Sequence, residues 1–384
     1  MDRRDPRQSA EALRHNSETL RNNPNHGIFF AGVHGGYPDL RGIQRTFNKT
    51  LGSGTVYNSA FLAEAPEPDR YQNMAKNIKQ QLKDGKNLVI FGHSYGAVEA
   101  VRAVYEDPEV REKYSKNIKM IFISPVDFVR TPFGAIKGMV KYGRVLVQES
   151  RLLGRSVWGK TSTVGGVVSA STMPSDVISR ESAMQAARLG ARRLSHRSAQ
   201  EVDFVANRPY FSMVDEKIQD RVREIDRRLD AARERGSRWG VRRELRRRGR
   251  DTKDIVAEIF KGKFANDFGD PPQQAQPPGK RRGSWALRSH LVMDAFMGRD
   301  LKKLRELQDS GIEMWVGIPE FDLMNSVKSA TRILRGDSSR VFTVPFSTHG
   351  APWGVQSDIL APIMEHCGVI LKTPWNSRNA QASI

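Results

Sequence analysis

The chain has one cysteine, Cys367, in 384 residues. That excludes an internal disulfide and fits a reducing compartment. No Cys/His cluster has the spacing of a zinc site, and no Walker-type or dinucleotide-type glycine pattern occurs, so nothing calls for a metal or a cofactor. Long apolar runs are also missing: none reaches the length of a membrane span, and Met1 to His26 is polar, without the apolar core of a signal peptide. These absences predict a cytoplasmic location. Negative charge is scarce, with 43 Asp and Glu against 62 Lys and Arg, a formal net charge of +19. About +15 of it lies between Asp127 and His290, so the remainder of the chain is close to neutral.

What is present is a segment, Asn87 to Val101 (NLVIFGHSYGAVEAV), in which an apolar run stops at Gly92-His93-Ser94-Tyr95-Gly96 and a small-residue helical pattern follows. Leu88 to Phe91 reads as a short, fully buried strand, and Ala97, Ala100 and Val101 fit the inner face of a helix starting at Ser94. This is the sequence form of a nucleophile elbow, with Ser94 on the sharp turn. Gly92 and Gly96 stand where strand crowds helix and a Cβ would clash.

A serine hydroxyl is a poor nucleophile at neutral pH and needs a histidine to take its proton and a carboxylate to orient that histidine. Of the eight histidines, His349 is the best placed, in the loop Ser347 to Gly350 that leaves the predicted strand Val341 to Phe346. For the acid, the predicted strand Ile312 to Val316 runs into a loop carrying Glu320 and Asp322. Asp322 is preferred because a helical pattern follows it. Glu320 is the main rival, and Asp127, after the predicted strand Met120 to Ser124, is a third. The oxyanion requires backbone donors: the N–H of Tyr95, and a second from the glycine turn after the apolar run Gly27 to Val33, where Gly36 is the first choice and Gly35 the next.

On these residues the chain resembles the α/β-hydrolase fold family. The resemblance rests on HGG at His34 to Gly36, GHSYG at Gly92 to Gly96, a G-x-x-x-x-D stretch ending at Asp322, and THG around His349. It covers Gly27 to about Tyr114, the strand near Met120, and Asp300 to about Val369. It implies an α/β fold, a mostly parallel sheet flanked by helices on both faces, with Ser94, Asp322 and His349 converging at its carboxyl edge. It also implies hydrolysis of an ester, thioester or amide, although the family includes haloperoxidases, lyases and non-catalytic members.

The expected organisation is a polar tail (1–26), a first part of the hydrolase core (27–127), a basic and mainly helical lid or cap insertion (128–298), a second core part (299–371) and a C-terminal tail (372–384). Within the insertion, Thr131 to Lys160 mixes apolar and basic residues in the manner of a lid helix or a membrane-interface helix. Ile218, Val222, Ile225 and Leu229 form a single apolar seam, ended by Gly236. Arg242 to Arg250 is the densest basic run. It can meet phosphates of nucleic acid or anionic lipid, but no aromatic residue interleaves it for base stacking, which favours a solvated helix face. Residues 268–284, rich in Pro, Gly and Gln, read as a mobile loop.

The expected function is that of a serine hydrolase of the carboxylesterase or lipase kind, acting on a small-molecule or lipid ester, with peripheral contact at an anionic membrane surface through the basic insertion. Two rivals stand beside it: a binding protein on a hydrolase scaffold whose insertion grips nucleic acid, membrane or a protein partner, and an acyltransferase, thioesterase or peptidase using the same residues.

Overall fold

A computed structural model describes residues 25–31, 40–57, 70–125, 224, 227–247, 300–320, 322, 325–344, 347, 349 and 360–372. The chain has an α/β fold. Among the described residues, six strands, β1 (Asn25–Phe30), β2 (Gly54–Tyr57), β3 (Asn87–His93), β4 (Ile118–Ile123), β5 (Glu313–Pro319) and β6 (Val341–Val344), form one sheet in the order β2-β1-β3-β4-β5-β6. Every neighbouring pair is parallel. Among the described residues, seven helices accompany it: α1 (Leu40–Thr50), α2 (Arg70–Lys83), α3 (Gly96–Tyr105), α4 (Pro108–Lys113), α5 (Leu301–Asp309), α6 (Val327–Ile333) and α7 (Leu360–His366).

Parallel strands covered on both faces need apolar residues on both, and β3 and β4 are buried along their whole length. Alternation divides their side chains between two cores. Ile28, Phe30, Leu88, Ile90, Met120, Phe122, Met314 and Val316 share one with residues of α2 to α6. Phe29, Val89, Phe91, Ile121, Ile123, Phe342 and Val344 share the other with α1 and α7. Right-handed crossovers explain the division. The chain moves one way across the sheet from β1 to β2, then the other way from β2 to β3 and on to β6. The helix of the first crossover therefore lies on the opposite face from the helices of the later crossovers.

That reversal makes the carboxyl ends of β1 and β3 the topological switch point of the sheet, the place where open α/β sheets bind ligands. Ser94 follows β3 directly.

Most element boundaries differ from the sequence expectation by one to three residues. The first strand begins at Asn25, and His26, read as part of the polar tail, is 5 % exposed inside it. Its ring nitrogens contact the hydroxyls of Ser53 (2.8 Å) and Thr55 (3.2 Å), so a polar residue enters the edge of the core fully partnered. The helix after Ser94 starts at Gly96. Between β4 and α5, residues 227–234 and 238–247 are helical, with Gly236 between them at φ 62°. Leu229 of the predicted seam is buried there. The lid stretch 131–160, the loop 268–284 and the two tails, apart from Asn25, His26 and Lys372, lie outside the described residues.

Candidate active site

The strand-to-helix turn after β3 carries Ser94 at φ 53°, a left-handed conformation that costs a residue other than glycine about 1–3 kcal/mol and persists only where its surroundings impose it. The surroundings here are specific. Ser94 N–H donates to the Ile123 carbonyl at 3.0 Å, tying the turn to the end of β4, and the Ser94 carbonyl accepts from Ala97 N–H at 3.2 Å as the helix begins. A Cβ on Gly92 would lie 2.5 Å from the Ala97 Cα, and one on Gly96 would lie 2.6 Å from the Phe30 carbonyl carbon. Neither neighbour can retreat, because both are backbone. The two glycines let α3 pack directly on the ends of β1 and β3, and the turn then holds Ser94 half-buried at the end of β3.

His349 reaches this serine across the sheet. Its Nε2 lies 3.0 Å from Ser94 Oγ, a distance at which an imidazole can take the hydroxyl proton. On the other side of the ring, Nδ1 lies 3.4 Å from both carboxylate oxygens of Asp322, whose side chain is fully buried while that of His349 is 29 % exposed. Asp322 sits just beyond β5, where its N–H donates to the Pro319 carbonyl at 3.0 Å. One of its oxygens accepts the N–H of Asn325 at 3.1 Å, three residues on, so the carboxylate shapes its own loop before α6.

Two further groups enter the cluster. Ser124, the residue after β4, is fully buried, and its hydroxyl lies 2.7 Å from His349 Nδ1 while donating to Asp322 Oδ2. The Asn325 side-chain amide donates to Ser124 Oγ at 3.0 Å and to Asp322 Oδ2 at 3.3 Å. Ser124 also has a positive φ, 49°, and its N–H donates to the Gly317 carbonyl at 2.8 Å. His93, the residue before Ser94, is 1 % exposed and donates from Nε2 to the backbone carbonyl of His349 at 2.6 Å.

No family model, curated protein or solved structure matches the chain. The site is therefore read from its own geometry. It brings together Ser94, His349 and Asp322. Glu320 is buried at the end of β5, where its N–H donates to the Val344 carbonyl. Among the described residues, it is the Asp322 carboxylate that lies 3.4 Å from the His349 ring. Tyr95 begins the turn into α3, with its side chain buried. Gly35, Gly36 and Asp127 lie outside the described residues. Among the described residues, no group of three or more His, Cys, Asp or Glu is arranged to hold a metal ion, and no helix is long and apolar enough to cross a membrane.

Sequence reasoning missed Ser124 and Asn325. A polar residue ending the apolar run Met120 to Ile123 was the available signal for Ser124. Asn325 falls in the helical pattern after Asp322 and carries no separate signal.

It also missed a buried ion pair behind Tyr95. Arg102, two turns along α3, forms a two-pronged bond with Asp300: Nε to Oδ1 at 2.9 Å and an Nη to Oδ2 at 2.8 Å. Its other Nη lies 3.3 Å from the hydroxyls of Tyr95 and Tyr71. Burial opposes the charge on Arg102, but Asp300 and the two tyrosines outweigh it and raise the guanidinium pKa above its ordinary value. This pair anchors the elbow helix to Asp300, where the chain enters α5.

Proposed function

We propose that this protein is a serine hydrolase of the α/β-hydrolase type, an esterase or lipase cleaving a carboxylic ester through an acyl-enzyme. The observation that carries the reading is the 3.0 Å contact of His349 Nε2 with Ser94 Oγ on a left-handed strand-to-helix turn, with buried Asp322 behind the imidazole. In this mechanism His349 removes the Ser94 proton as Oγ attacks the ester carbonyl. Asp322 stabilises the imidazolium that forms. The Tyr95 N–H holds the oxyanion, with the second donor assigned to Gly36, or to Gly35 beside it, on the sequence reading alone. His349 then gives its proton to the departing alcohol, and water attacks the acyl-serine by the same route.

A fluorophosphonate probe tests the chemistry. Labelling of the native protein and none of Ser94→Ala is the expected result; equal labelling of both, or of neither, would overturn it. Product analysis with added alcohol or thiol acceptors separates hydrolysis from acyl transfer.

A lipid substrate at an anionic surface is favoured by the helical residues 238–247. Arg238, Arg242, Arg243, Arg246 and Arg247 are exposed and share one half of the helix circumference with Trp239, which is 78 % exposed. An exposed indole amid arginines suits the interface of an anionic bilayer, where each basic residue contributes about 1 kcal/mol. Sedimentation with phosphatidylserine vesicles checks this. Binding that weakens with salt and with Trp239→Ala supports a peripheral location; no binding removes the lipid preference and leaves the ester chemistry standing.

A further inference from the structure

Resting on the reading of His349 as the general base, we propose that Ser124 is a positioning residue, a hydroxyl interposed between Asp322 and His349 that selects the His349 tautomer able to deprotonate Ser94. The hydroxyl has one proton and two lone pairs to place. Asp322 as a carboxylate only accepts, so the Ser124 proton goes to Oδ2. The Asn325 amide nitrogen only donates, so it occupies one lone pair, at 3.0 Å. The remaining lone pair faces His349 Nδ1 at 2.7 Å.

Nδ1 must therefore carry a proton. In the neutral ring Nε2 is then bare, and Nε2 is the atom 3.0 Å from Ser94 Oγ. Asp322 lies farther from Nδ1, at 3.4 Å from each oxygen, so the closer hydrogen-bonding partner of Nδ1 is the serine hydroxyl. When His349 takes the Ser94 proton, Nδ1 keeps its own, and the cationic ring is bound by Ser124 polarised against the carboxylate.

The backbone supports the assignment. Ser124 sits at φ 49°, and the Gly317 carbonyl holds it there through a 2.8 Å bond from the Ser124 N–H. A strained non-glycine residue, fully buried at a strand end with every lone pair used, is held for its hydroxyl.

The experiment is heteronuclear NMR of the full chain with isotope-labelled histidine, the His349 ring being assigned by its loss in His349→Gln, together with ester kinetics. In the native protein the neutral His349 ring should carry its proton on Nδ1. Ser124→Ala and Ser124→Gly should both shift it toward a mixture of tautomers and lower kcat roughly ten- to a hundredfold, with KM within about twofold. Ser124→Gly keeps the test open if alanine disturbs the fold, because glycine accepts the left-handed turn. A native ring protonated on Nε2 would overturn the proposal, as would a tautomer unchanged in both variants, whether or not kcat falls. Absence of fluorophosphonate labelling at Ser94 counts against the hydrolase reading instead, since the tautomer is read without turnover.

Discussion

His93 and His349, 256 positions apart in the chain, are joined by a hydrogen bond of 2.6 Å from His93 Nε2 to the His349 carbonyl. The residue before Ser94 thus holds the backbone of the residue whose ring meets Ser94. Serine and imidazole are spaced by the sheet, and this bond adds a direct tie between their two loops. His93→Ala is expected to leave the His349 carbonyl without this donor, costing about 1–3 kcal/mol of stability, and to slow fluorophosphonate labelling of Ser94 roughly tenfold or more through misplacement of the ring. Chemical denaturation and labelling time courses read the two effects separately.

The three candidate acids differ in what their loss should do. Asp322→Asn keeps the shape and removes the charge behind His349, so kcat on a short ester should fall by about three to four orders of magnitude. Glu320→Gln and Asp127→Asn should each cost less than about tenfold. A larger loss at Glu320 than at Asp322 would reverse the assignment.

Strain at the turn predicts opposite signs at two neighbouring positions. Ser94→Gly removes the side chain from a left-handed conformation and should raise stability by about 1 kcal/mol while abolishing labelling. Gly96→Ala drives a methyl into the Phe30 carbonyl and should destabilise by at least about 2 kcal/mol. Urea midpoints for the two variants test both signs.

The Arg102–Asp300 pair is nearly dry, with side chains 14 % and 5 % exposed. Asp300→Ala leaves the guanidinium buried without its carboxylate, and a loss of about 3–5 kcal/mol is expected. Replacing both residues with apolar ones of similar volume should recover most of it, which a double-mutant cycle measures.

His26 predicts a pH dependence of stability. Burial, aided by nearby Lys86, lowers its pKa from 6.5 to about 4 in the folded chain. The unfolded chain therefore binds more protons between those values. The stabilising contribution of neutral His26 is complete above the unfolded value and is lost as pH falls through the folded one. With partial solvent screening it amounts to about 1–2 kcal/mol. His26→Gln should thus lose less stability than the native protein between pH of about 7.5 and about 4, and equal losses would contradict the account.

Much of the site was legible from local pattern. An apolar run four residues long, two glycines and a following small-residue helix announce a buried strand and a tight turn, because those constraints act within a few residues. The same logic placed His349 in the loop after β6 and Asp322 in the loop after β5. It failed at Ser124 and Asn325, which carry no distinctive local spacing: one is a strand-end serine before a proline, the other an asparagine before a helix cap. It also read His26 as tail, since one histidine among polar neighbours gives no sign that two hydroxyls wait for it, one on the adjacent strand and one just before it.

By itself the sequence determined which segments are buried strands, where the chain turns sharply at Ser94, that the positive charge gathers between Asp127 and His290, and a short set of carboxylates and one histidine worth pairing with that serine. Only the tertiary structure decided that Asp322 faces His349, that Ser124 stands between them, and that His93 holds the histidine's backbone. Periodicity and glycine placement act over a few residues, so a sequence displays them. Ser124 and Asp322 are 198 positions apart and meet because β4 and β5 are parallel neighbours in one sheet, which brings their carboxyl ends side by side.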